Sequence, residues 1–299
     1  MKYRPLGSTG TAVSCLCLTI GYEEFARGSS ALKKIIIAGL EAGINAYHFE
    51  VTHPAFLQAA GEALSHVDRS LVWVSLSLGG PKSKAGEDRS FLPNDLIRTV
   101  EEGLHTSGLG WFDVAVLNDP DEQELSLASL NSLKALRSSG HVRMLGIMGE
   151  APVIDTYIST GAFDALYTPC SINPDNRIRS RMREALRRDL SVFVYDYDRE
   201  VRTKKSRVDT PDTGKKSLFG WLGKKPEAPT EATSSFDFLH TTPGWTAEEL
   251  CLSLVLTDPT VTSALFCAKS DLQIEQMAQA LDRHLPSRIA AQIEMARVG

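Results

Sequence analysis

The 299-residue sequence lacks the short phosphate-binding signatures: neither GxGxxG nor GxxxxGK occurs in it. That removes the sequence warrant for an open dinucleotide-binding sheet or a P-loop. It also lacks any apolar run approaching the roughly 18–20 residues of a membrane-spanning helix. The polar opening MKYRPLGSTG carries no signal-peptide hydrophobic region. Its five cysteines (15, 17, 170, 251, 267) are odd in number and contain no CxxC pair. This predicts free thiols in a reducing compartment and not a disulfide framework. A basic excess is missing too: 32 Lys and Arg stand against 37 Asp and Glu, a net charge of −5. No global attraction to nucleic acid or to an anionic membrane follows. The expectation is a soluble cytoplasmic protein without a transmembrane segment.

What the chain does have is a repeating rhythm. With 42% hydrophobic and 23% charged residues it can bury a large core. SSALKKIIIAGLEAG reads as a helix with a serine cap and a glycine stop, and it leads into the strand INAYHF. Helix FLQAAGEALSHV, strand LVWVSLSL, helix NDLIRTVEEGLHTSG and strand WFDVAVLN follow. Helix LSLASLNSLKALRSSG, strand VRMLGIMG, helix APVIDTYISTG and strand FDALYTPC come next. The basic helix RIRSRMREALRRD, strand SVFVYDY, helix AEELCLSLVLTD, strand VTSALFCA and closing helix DLQIEQMAQALDRH complete the order. Counting a first strand near VSCLCLTI, eight strand–helix units predict parallel pairing in a closed (β/α)8 TIM barrel. Residues 1–299 are then one domain, with a long polar insertion after the seventh barrel strand.

The opening MKYRPLGSTGTAVS, then GLEAGINAYHFEVTH, LVWVSLSLGG, WFDVAVLNDP and ALRSSGHVRMLGI, resemble the aldo-keto reductase superfamily in order and spacing. The resemblance implies the barrel, and a site at the C-terminal ends of its strands. In that family an Asp, a Tyr, a Lys and a His pass a hydride and a proton between a nicotinamide and a carbonyl. The matching positions here hold His48, His53, Ser77 (or, with a register slip of one residue, the equally uncharged Leu76) and Asn118. An imidazole cannot hold a lysine as a carboxylate does, Ser77 carries no charge, and Asn118 cannot shuttle a proton near neutral pH. A hydride transfer also needs charge stabilisation at the developing alkoxide, and the sequence shows no cation at those strand ends. The reading taken is a degenerate, non-catalytic site. Two alternatives stay open: His48 and His53 as a substitute acid–base pair, and a metal site from His48, Glu50 and His53.

The resemblance also implies a cofactor site, eroded here. Met148–Gly149 replace the Ser–Asn that grips the nicotinamide amide, and Tyr167 replaces a Gln. Tyr195 matches the aromatic that stacks under the nicotinamide, while Asp196 replaces a small hydroxyl residue near the pyrophosphate. CAKSDLQIEQM matches the adenosine-phosphate loop: Lys269, Ser270 and the following helix N-terminus favour an anion. Gln273 stands where NADP-specific members have Arg, and Met277 where an adenine-binding Asn is usual. NAD(H) is therefore the expected dinucleotide.

Residues 199–244 break the rhythm and read as a flexible basic insertion loop. From Arg199 to Lys225, nine Lys or Arg stand against Glu200, Asp209 and Asp212, a local +6. Leu218, Phe219, Trp221 and Leu222 lie there between lysine pairs, a candidate anchor for an acidic protein partner or a membrane surface. The superfamily includes regulatory members, such as potassium-channel β subunits and the KidO-like oxidoreductase homologues that regulate bacterial division and signalling. The expected role is regulation through protein partners, tuned by a dinucleotide or small-molecule ligand. The alternative is an NAD-dependent oxidoreductase with unconventional catalytic residues.

Overall fold

The structure is a computed structural model that describes residues 1–7, 9–80, 89–202 and 236–298. A short antiparallel hairpin, β1 (Tyr3–Pro5) and β2 (Ala12–Ser14), precedes the barrel. The barrel strands are β3 (Leu16–Ile20), β4 (Ala46–Phe49), β5 (Trp73–Leu78), β6 (Phe112–Asn118), β7 (Val142–Met148), β8 (Ala165–Pro169), β9 (Ser191–Tyr195) and β10 (Ser263–Cys267). They pair in parallel in sequence order, and β10 closes onto β3. This is the (β/α)8 TIM barrel expected from the alternation.

Around it lie α1 (Tyr22–Ala26), α2 (Ser29–Glu41), α3 (Pro54–Leu64), α4 (Pro93–Ser107), α5 (Leu127–Ser138), α6 (Val153–Ser159), α7 (Asn176–Arg187), α8 (Ala247–Val255), α9 (Asp271–Ala280) and α10 (Ser287–Val298). Several helix starts follow their capping chemistry. Asp175 accepts from the Ile178 amide at 2.8 Å, and Thr246 and Glu249 form a reciprocal box at 3.2 and 2.8 Å. The serine cap expected for α2 is different in the structure: Ser29 is already helical, and Gly28 at φ +93° occupies the cap position. Likewise α4 begins at Pro93, whose fixed φ suits a first helical position, and not at Asn94. Gly61 lets α3 approach α4 closely, since a Cβ there would lie 1.9 Å from the Ser107 carbonyl oxygen.

Two apolar layers result. One lies between the barrel and its helices, and the other fills the lumen. Leu6 and Val13 of the hairpin region plug the N-terminal end of the lumen against Cys17 and Ala46. The lumen is unusual in being aromatic. Trp73 stacks on Phe193 at 4.8 Å and 9°, Phe193 on Tyr167 at 4.7 Å and 11°, and Tyr167 meets His48 at 5.3 Å. Four rings thus stand side by side where barrels usually layer branched aliphatics.

Candidate functional site

The C-terminal strand ends bring the four tetrad-matching residues to one end of the barrel without bringing them together chemically. His48, on β4 and paired in register with Thr19 and Ser75, is fully buried in the lumen. Its Nδ1 lies 2.8 Å from Ser75 Oγ, and Nε2 has no partner among the described residues. Burial without a counter-charge pushes its pKa down to about 3, so the ring is neutral at physiological pH. His53 lies outside. It caps α3 by accepting from the Ala55 amide at 3.2 Å, and its ring packs on Phe25 at 5.1 Å. Ser77 on β5 is almost wholly buried. Asn118 closes β6 and donates to the Gly80 carbonyl at 3.3 Å. No hydrogen bond links His48 to His53. Among the described residues no group of three His, Cys, Asp or Glu side chains is arranged to hold a metal ion, so His48, Glu50 and His53 do not form one.

The cofactor-matching residues divide into two halves. At the nicotinamide half, Tyr167 is sealed in the ring column and the Gly149 amide donates to its carbonyl at 3.1 Å. Gly149, at φ +153°, has no room for a side chain, since a Cβ would meet Asp119 Oδ1 at 2.4 Å. Tyr195 is half-buried beside Met148 on the lumen cluster. Burial, helped by the Asp196 charge, pushes its phenol up, so it is a neutral surface and not a proton source. A nicotinamide amide would find neither the gripping side chains nor a free backbone there. At the adenosine half, Ser270 caps α9 by accepting from the Gln273 amide at 3.2 Å. The Lys269 amide donates to Gln273 Oε1 at 2.9 Å, and the Lys269 carbonyl accepts from Arg27 at 3.0 Å. Gln273 donates in turn to Glu248 at 3.3 Å. Met277 is 2% exposed and belongs to the core. This half places Lys269 at a helix N-terminus, beside the carboxylates of Asp271 and Glu248.

The sequence shows no cation at the strand ends; the structure brings several there from helices and loops. Arg181 is 2% exposed, and from α7 it donates to Asp155 at 2.5 Å and to the carbonyls of Gly149, Glu150 and Ala151 at 3.0, 3.3 and 2.9 Å. It clamps the β7–α6 loop. Helical spacing could have found it, because Arg181 shares the buried face of Ile178, Met182 and Ala185. Arg89 pins the loop after β5 to the end of β6, donating to the Asn118 and Asp119 carbonyls at 3.2 and 2.6 Å and pairing with Glu124 at 2.9 Å. No local pattern marks it. Asp196 is neutralised by Arg199 at 3.2 Å and Arg202 at 2.5 Å, and Arg199 also bonds both Glu150 oxygens. The expected clash of Asp196 with a pyrophosphate is therefore softened by its own partners. Asp119 and Asp196 end β6 and β9 at φ +50° and +54°, a left-handed conformation that Asp tolerates better than most residues.

Of the span 199–244, the described flanks are structured. Residues 199–202 are helical, and Phe236 and Leu239 join the core. Leu218, Phe219, Trp221 and Leu222 lie outside the described residues.

No family model matches the chain, and no curated protein matches it. Solved structures do. The holo form of aldo-keto reductase AKR11C1 from Bacillus halodurans superposes with a TM-score of 0.76 at 20% identity, over 99% of this chain and 96% of that one. Its apo form gives 0.70 at 18% identity, over 99% and 96%. The fold is that of an aldo-keto reductase. The likeness covers the whole chain and concerns architecture, because identity is low. No helix among the described residues is long and apolar enough to cross a membrane.

Proposed function

We propose that the chain is a non-catalytic protein on an aldo-keto reductase fold, which senses NAD(H) at its adenosine-binding half and acts through protein partners. The observation that carries this reading is His48. At the position of a catalytic carboxylate it is sealed in the lumen, neutral, and walled by Tyr167. A bound nicotinamide would supply hydride chemistry, but the residues around its expected place do not fit it, and no hydride step is assigned. What the chain's own groups do is hold. Lys269, Ser270 and the α9 N-terminus receive a phosphate, Tyr195 offers a flat neutral surface, and Arg181 fixes the loop beside it. Partner contacts through Leu218, Phe219, Trp221 and Leu222, with division or signalling proteins as the expected class, belong to the same reading.

The test is turnover. With NADH or NADPH and a broad panel of aldehydes and ketones, oxidation at 340 nm should stay at background, since missing acid–base catalysis alone costs on the order of 10²–10⁴ in rate. Robust turnover that His53→Ala abolishes would overturn the reading and restore an oxidoreductase with unconventional residues.

A further inference from the structure

The opposite end of the barrel carries a cavity that this role does not use. It has a volume of about 530 Å³ and lies between the hairpin strand β1, the end of α8 and the turn after α9. Its lining includes Lys2, Arg4, Arg283 and His284 and no Asp or Glu, on a chain whose net charge is −5. Such a one-signed wall is not the average of this surface.

The charges are held in two ways. Arg4 is fixed: it donates to the Asp258 carbonyl at 3.0 Å and to the carbonyls of Leu256 and Val261. It thereby cancels the negative pole at the end of α8, which would otherwise repel an anion. Arg283 is fixed as well, by the Gly244 carbonyl, by Glu249 at 3.4 Å and over the Trp245 ring at 3.7 Å. Two donors on the wall and one buried behind it are uncommitted among the described residues. The Lys2 ammonium and the His284 ring make no ion pair or hydrogen bond, and the buried Ser253 hydroxyl has no partner. Arg4 and Lys2 also pull the Cys15 thiol down against the upward push of burial, so their positive field reaches the cavity floor.

We propose that this cavity is a binding site for a small soluble phosphomonoester, distinct from the barrel mouth. Donors arriving from three elements suit a tetrahedral dianion with several acceptor oxygens better than a single carboxylate. The volume takes a three- to six-carbon phosphate ester.

Isothermal titration of the full chain with glycerol 3-phosphate, at low ionic strength, decides it. The expected result is binding in the millimolar range or tighter, with acetate much weaker. Lys2→Gln combined with His284→Gln should weaken binding by about tenfold or more, as loss of the ammonium's charge-assisted hydrogen bond together with a ring donor does. Both side chains are exposed, so the melting temperature should not move. Ser253→Ala, which removes only the orphan hydroxyl, should weaken it severalfold. Lys269→Gln, at the mouth, should leave it unchanged. The proposal is overturned if the wild type does not bind, if the double variant binds equally well, or if Lys269→Gln is the variant that loses binding. Capture by phosphatidate vesicles without binding of glycerol 3-phosphate overturns it too, since the source is then a lipid surface.

Discussion

At the scale of single residues, His48 carries the proposed non-catalytic reading, which rests on the resemblance that matches it to a catalytic carboxylate. The imidazole here is neutral because its charged form would sit in the lumen without a counter-ion, beside Tyr167 and with only Ser75 to bond. The linkage to stability has a definite sign. Below the ordinary histidine pKa of about 6.5 the unfolded chain takes up a proton. The native state refuses it until about pH 3. Stability is therefore complete above the unfolded pKa and falls as pH drops through this window, by up to about 1.4 kcal/mol per unit. Glu50 and Glu248, whose carboxyls burial pushes up, act in the opposite sense at the acid end. The informative quantity is thus the difference between wild type and His48→Gln. Urea midpoints between pH 7 and 4.5 should fall more steeply for wild type; parallel curves would show that His48 is not the buried neutral ring described. The identity of His48 is legible in the sequence. Its sealing is not, because burial in a lumen depends on which rings from β5, β8 and β9 meet across the barrel.

At the scale of elements, alternation in the sequence marks all eight barrel strands and the helices that follow them, because a parallel barrel writes a separate period for each. Three elements escape it, the first being the five-residue α1, too short for a helical period. The β1–β2 hairpin is three residues a side and has no sustained apolar alternation. Helix α10 buries only a narrow stripe, Ile289 and Ile293, so its pattern is faint. The β7–α6 loop shows how an element is positioned by a residue far away in sequence. Arg181 satisfies three of its carbonyls and the Asp155 carboxylate at once, and Asp155 is the more exposed partner of that pair. Arg181→Met keeps much of the side-chain volume and removes every donor. It should cost about 2 kcal/mol, the scale for buried carbonyls left without a donor, since Asp155 reaches solvent. Amide exchange should accelerate most at Gly149, Ile154 and Asp155, whose amides are bonded at this loop, ahead of the barrel strands. Uniform acceleration across the barrel would mean that Arg181 supports the core as a whole and does not clamp this loop.

At the scale of the whole molecule, an acidic protein gathers Arg27, Arg199, Arg202 and Lys269 around its C-terminal mouth, where a dinucleotide's phosphates would lie. Carboxylates stand among these cations: Asp196 and Asp198 pair with Arg202, Asp271 opens α9, and Glu248 bonds Gln273. Glu248, in the first turn of α8, is held by Gln273 of α9 at 3.3 Å, beside the loop that carries Lys269 and Ser270. A 2′-phosphate would bring two further negative charges toward that carboxylate, whereas a 2′-hydroxyl could hydrogen-bond to it. The sequence discloses only the missing arginine at position 273; the acidic neighbour comes from a helix 25 positions away and is visible only once α8 and α9 are side by side. Direct titration should therefore give tighter binding of NADH than of NADPH by about tenfold, the ratio that corresponds to ~1.4 kcal/mol of charge repulsion. Glu248→Gln keeps the shape and the bond to Gln273 while deleting the charge. It should recover most of that factor for NADPH and leave NADH within about twofold. Equal affinities in the wild type, or a variant that shifts both nucleotides alike, would mean that Glu248 does not face the adenosine ribose and that the preference for NAD(H) has no basis in this corner of the fold.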